Sequence, residues 1–248
     1  MNRRMVTCLV LDGSMAASFI ILMADRYTGN GMHEWLGVLL LLLVFMHVRI
    51  HAVWWTALPR LMRGSPARTV VTLLAALFFA AAVISAVPVS ETVFTFLNMH
   101  GSLEARGLHL FFAHWSFVLA AFHFGMYGAG VASAAGRVLP VPVPLIRRLA
   151  WAAALYGAYA FVARELVLPL FMQSSFTLWH EGDGPVLFFL DYLAVFHASA
   201  WISYGVATHC SGRRKERKRT TAKDTENPAG NRIGQELKRI VSGGFYGS

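Results

Sequence analysis

The chain has 248 residues, 56% of them hydrophobic and only 14% charged, against about 25% charged in an average soluble domain. That composition excludes a soluble enzyme, and the two cysteines, Cys8 and Cys210, lie near opposite ends and make neither a disulfide framework nor a metal spacing. The formal charge of +9 is concentrated in the 38 residues from Ser211, which hold all four lysines and 10 of the 22 Lys+Arg; beside apolar segments this reads as a cytoplasmic flank on anionic lipid, with no nucleic acid partner.

In chain order, six apolar stretches are long enough to cross a bilayer core of about 30 Å: 5–24, 32–55, 69–90, 107–130, 149–170 and 185–208. The first follows Arg3 and Arg4 but carries Asp12 and lacks a small-x-small cleavage site, so it reads as a retained helix rather than a signal peptide. Between spans two and three lie Arg60, Arg63 and Arg68, and between four and five lie Arg137, Arg147 and Arg148. The other three loops hold only Arg26 and Arg106 among acidic residues. Lys/Arg excess marks the cytoplasmic side, so both termini are expected there. The expected fold is therefore all-α, an integral membrane bundle of six transmembrane helices (1–210) in the cytoplasmic membrane. A basic tail (211–248) follows, largely disordered, with a short surface helix possible over 232–241. The run 140–144, Pro-Val-Pro-Val-Pro, is expected to be extended.

Ten histidines are many for such a chain, and ionisable groups at membrane depth are usually functional. His33 and His47 on span two are 14 residues apart, as are His109 and His123 on span four. Fourteen residues rise about 21 Å and fall some 40° short of four full turns, so each pair shares one helix face. Spans two and four run in the same direction, which sets His33 level with His109 on the outer side and His47 level with His123 on the inner side. Two imidazoles facing each other at one depth can ligate a planar macrocycle from both sides. The pattern predicts two stacked bis-histidine sites for b-type haem, two per chain. His51 lies about 40° from His47 and is the rival inner ligand, whereas His114 lies about 140° round the helix from His109, off the haem face. His100, His180 and His209 are expected outside the bilayer, and His197 to make a structural hydrogen bond, with a quinone contact as its minority role.

The interval of 14 on two helices is similar in arrangement to cytochrome b of the quinol:cytochrome c oxidoreductases. A closer resemblance lies in Tyr27-Thr28-Gly29-Asn30 followed by His33-Glu34, in Leu108-His109, Trp115 and His123, and in Phe188-Phe189-Leu190-Asp191-Tyr192-Leu193. These segments resemble the flavinylation-associated membrane cytochromes, a prokaryotic family often described only as a domain of unknown function. The resemblance implies a small haem-bearing membrane protein working beside extracytoplasmic flavin-carrying redox partners, with His33, His47, His109 and His123 on the family's recurrent histidines. His114 stands where that pattern expects Tyr, and Ser116 where it expects Gly.

Charges at membrane depth need partners, because each costs about 2.5–3.5 kcal/mol on insertion scales. Arg164 and Asp191 are both expected about 9 Å below the outer surface and can pair, or Arg164 can reach a haem propionate. Asp12 and Arg49 are similarly level near the inner surface, where Arg49 can pair with Asp12 or serve the inner propionates. Glu34 adjoins His33 and could take a proton from quinol.

The expected function is a di-haem membrane cytochrome that transfers electrons across the cytoplasmic membrane. Quinol from the quinone pool is the expected donor, and an extracytoplasmic flavin or haem redox protein the expected partner. The rival readings are a histidine-lined metal-ion or proton transporter and a non-redox membrane anchor for a partner complex.

Overall fold

The computed structural model describes residues 3–138, 142–174 and 184–226, with side chains described over 6–128, 142–174 and 184–212. All regular structure among the described residues is helical. The main helices are α1 (Arg3–Leu22), α2 (Asn30–Ile50), α3 (Pro66–Ala86), α4 (Leu103–Val138), α5 (Val143–Ala163) and α6 (Pro185–Glu226). By length and composition, four described segments can cross a membrane: Asn30–Ile50, Pro66–Val89, Leu103–Gly128 and Pro185–Gly212. The chain thus has the make-up of a multi-pass membrane protein. Helices also occupy the first and fifth expected spans. In α1 the described apolar part is the shorter Val6–Leu22, and α5 carries Arg147 and Arg148 in its early turns.

The boundaries differ from expectation in ways the local chemistry explains. Val143 and Pro144 open α5 rather than ending an extended run, because proline's missing N–H belongs to a donor that has no helical partner at that position. The fifth expected span does not run unbroken to 170. Helix α5 ends at Arg164, Glu165 turns left-handed at φ 51, and a short helix resumes over Val167–Leu170. Pro169 accounts for the break, since its ring would clash with the carbonyl four residues earlier. Between α1 and α2, Gly29 at φ 76 makes the turn that a side-chain-bearing residue would enter only with strain.

The chain divides into two compact units, Met1–Tyr204 and Gly205–Ser248. In the second unit the backbone is helical to Glu226. Lys, Arg and Glu lose little rotamer freedom in a helix, and no proline interrupts the run before Pro228. The expected helix over 232–241 lies outside the described residues.

Within the first unit α1 packs along α2, and α3 along α4. Phe19, Leu40, Phe117, Ala121, Val195 and Phe196 belong to one buried apolar cluster. Helices α5 and α6 approach backbone to backbone at Gly157, where an added Cβ would overlap Ala194. Such close crossings are typical of membrane bundles, where small residues let helices gain dispersion contact. Arg164 donates from Nε (2.8 Å) and NH2 (2.6 Å) to Asp191 Oδ2, and the Tyr156 hydroxyl donates to Oδ1. The sequence pair Arg164–Asp191 is therefore realised, buried between the ends of α5 and α6.

Candidate functional site

Two histidines face each other at each of two depths. His33 on α2 and His109 on α4 have ring centroids 6.3 Å apart and planes at 85°. His47 and His123, on the same two helices, repeat the arrangement at 6.3 Å and 77°. An imidazole nitrogen lies about 1.1 Å from its ring centroid and binds a transition metal at about 2.0–2.1 Å. Two rings holding one metal from opposite sides therefore need centroids roughly 6.2 Å apart. Both pairs meet that spacing.

Hydrogen bonds decide which nitrogen each ring can offer. Ala82 O only accepts, so His109 Nδ1, 3.1 Å away, carries the proton. Ser85 Oγ donates to the same carbonyl and lies 3.4 Å from that nitrogen. Thr72 Oγ1 spends its proton on Arg68 O and so accepts from His123 Nδ1 at 3.1 Å. Asp12 Oδ1 accepts from His47 Nδ1 at 2.9 Å. Three rings are thereby held as Nδ1–H tautomers with the Nε2 lone pair available. Metal-binding histidines are oriented in this way, by a carboxylate, carbonyl or hydroxyl on the second nitrogen. His33 is the exception: its Nδ1 is buried without a hydrogen-bond partner.

A cavity of about 560 Å³ lies at the His33–His109 level, within the roughly 300–1,000 Å³ range of ligand and cofactor sites. Phe19, Leu40 and Phe79 supply apolar wall. Ser116 also borders the cavity; it is 1% exposed, and its Oγ lacks a partner. Ser116 is seven residues from each α4 histidine, two helical turns, so it lies on their face midway between the levels. The site fits a flat, largely apolar group held by two axial imidazoles. Two polar atoms at the site, His33 Nδ1 and Ser116 Oγ, are buried without a hydrogen-bond partner among the described residues. Among the described residues no three His, Cys, Asp or Glu side chains gather to hold a metal ion by themselves; the facing histidines come in twos.

Several sequence expectations change here. Asp12 joins His47 instead of Arg49, because α1 packs on the face of α2 that carries the histidine. Arg49 is exposed at the end of α2. Arg164 is engaged by Asp191, and the cavity wall does not include it. The cations at the cavity are Arg26 and Arg106, which the sequence shows only as loop charges. Glu34 accepts from Ser90 Oγ (2.6 Å) and from the backbone N–H groups of Glu91, Thr92 and Val93 (2.8, 3.0 and 2.7 Å). Its carboxylate thus clamps the segment after α3.

His51 is exposed, its ring 4.7 Å from that of His47, and it is His47 that opposes His123. His114 donates from Nδ1 to Leu110 O in its own helix (2.8 Å), yet it borders the cavity despite its 140° offset. Leu22 at the end of α1 and the adjoining Met23 wall the same cavity. His197 Nε2 donates to Ala150 O at 3.1 Å, the structural bond expected of it. His100 precedes α4 and is exposed, His209 is exposed, and His180 lies outside the described residues.

Searches of protein-family models, curated proteins and solved structures return no match to this chain.

Proposed function

We propose that this chain is a b-type di-haem cytochrome, with His33 and His109 holding one haem and His47 and His123 the other. The observation that carries this reading is the doubled 6.3 Å spacing of facing imidazoles, with three of the four Nδ1 atoms engaged so that Nε2 is left for iron. Bound haem would supply reversible one-electron chemistry, and the chain supplies axial nitrogens, an apolar wall and spacing. Two levels about 21 Å apart along the helices span most of a bilayer core. Arg26 and Arg106 at the cavity suit the carboxylates of an acidic macrocycle.

In this reading α1 and α5 cross the membrane with the four longer apolar segments, giving six spans. The Lys/Arg asymmetry of the loops puts both termini in the cytoplasm. The resemblance to flavinylation-associated membrane cytochromes supports an extracytoplasmic flavin-carrying partner as electron acceptor. Quinol in the membrane is the donor: it releases two electrons and two protons, and the chain accepts the electrons singly.

The test is a reduced-minus-oxidised absorption spectrum of the purified chain with haem quantified per polypeptide. About two b-type haems per chain are expected. One haem would reduce one histidine level to a structural role. No haem in a folded, haem-supplied preparation would overturn the reading in favour of a transporter or an anchor.

A further inference from the structure

The two histidine levels differ in the groups behind the rings. At the His33–His109 level the second nitrogens meet uncharged groups or none: Ala82 O and Ser85 Oγ stand behind His109, and His33 Nδ1 has no partner. At the other level His123 meets a hydroxyl, but His47 meets a carboxylate, Asp12, at 2.9 Å. A carboxylate accepting the Nδ1 proton pulls that proton away and pushes electron density onto Nε2, which makes the ring a stronger donor. A stronger donor favours ferric over ferrous iron.

Resting on the di-haem reading, we propose that Asp12 sets the direction of electron flow by making the His47–His123 haem the lower-potential of the two. Asp12 acts through His47 as a positioning residue, not as a ligand. With haem bound at both levels, the favoured transfer would carry one electron from the His47 level, where iron is oxidised, to the His33 level, where iron is reduced. No proton moves in that step. Quinol, the donor named above, restores the ferrous iron one electron at a time. Helix α1 therefore has a redox task, although it carries none of the four histidines.

The experiment is an optical redox titration of the full-length protein, comparing wild type with Asp12→Asn, Asp12→Glu and Ser85→Ala. Wild type should titrate in two separable one-electron steps. Asp12→Asn keeps the shape of the side chain and removes its charge. It should make the lower-potential haem roughly tenfold easier to reduce, about 59 mV, and leave the upper step in place. Asp12→Glu should stay near wild type, and Ser85→Ala should move only the upper step. Loss of one haem from Asp12→Asn would overturn the proposal, because Asp12 would then hold the haem rather than set its potential. An unmoved lower step in Asp12→Asn, or an equal shift in Asp12→Glu, would overturn it while leaving two haems in the spectrum. Absence of haem from the wild type would overturn the underlying reading as well, so the two failures are distinguishable.

Discussion

Two parts of the first unit bury polar groups, and they treat them in opposite ways. At the ends of α5 and α6, Asp191 receives two nitrogens of Arg164 on one oxygen and the Tyr156 hydroxyl on the other. That carboxylate is satisfied by protein. Between α2 and α4, three histidines are fixed through Nδ1 but keep Nε2, His33 lacks a partner on Nδ1, and Ser116 Oγ is buried alone beside a cavity. Buried polar groups are normally paired, so a network closed on itself reads as a fastener, whereas one left open is what the proposed haem reading has to account for. The difference separates Arg164, whose guanidinium is paired within the protein, from the histidines, to which the proposed function assigns the haems.

Breaking the closed network should have the largest effect. Arg164→Ala leaves Asp191 buried and unpaired, and a loss of about 3–5 kcal/mol in stability is expected by thermal or denaturant unfolding. Changing both together, Arg164→Met with Asp191→Leu, should recover most of that loss, because apolar replacement of a whole buried pair is often close to neutral. A single change that left the unfolding midpoint where it was would erase the contrast.

The open network should lose cofactor rather than fold. His33→Ala or His109→Ala is expected to remove one of two haems, and His47→Ala or His123→Ala the other, as read by haem per chain. His51→Ala should spare both. Loss of a haem from His51→Ala with retention in His47→Ala would move the second level one turn along α2.

The smallest effect is also the sharpest, because its sign is unusual. Ser116→Ala removes a buried hydroxyl that has no partner, so haem-free protein should gain about 1 kcal/mol where truncation elsewhere costs stability. A loss instead would show that Ser116 has a partner within the protein.

The histidine levels were legible in the sequence because a helix has one period, and an interval of 14 on two co-directional helices fixes both depth and face. Depth alone was also enough to bring Arg164 and Asp191 together. It was not enough for Asp12, which was matched with Arg49 because both lie at the same height. Which flank of α2 receives α1 depends on packing between helices, and that packing turns Asp12 toward His47. Arg26 and Arg106 were visible only as loop charges, since bringing the short helix Asp25–Thr28 and the first turn of α4 to one cavity is a tertiary event. The break at Glu165 did have a local signal in Pro169, outweighed by the length of the apolar run around it. His114 shows the converse error: its angle on α4 was right, but the cavity extends round the helix to meet it.

The two levels also share a mechanical phase. Inserting one residue into α2 between His33 and His47 would rotate everything beyond it by about 100° and advance it by about 1.5 Å. His123 would then face a different side chain, and Asp12, carried on α1, would not follow. Two inserted turns would nearly restore the azimuth but add about 10 Å to one helix only. Neither helix can change length unless the other does so in step, and α1 must keep pace with both.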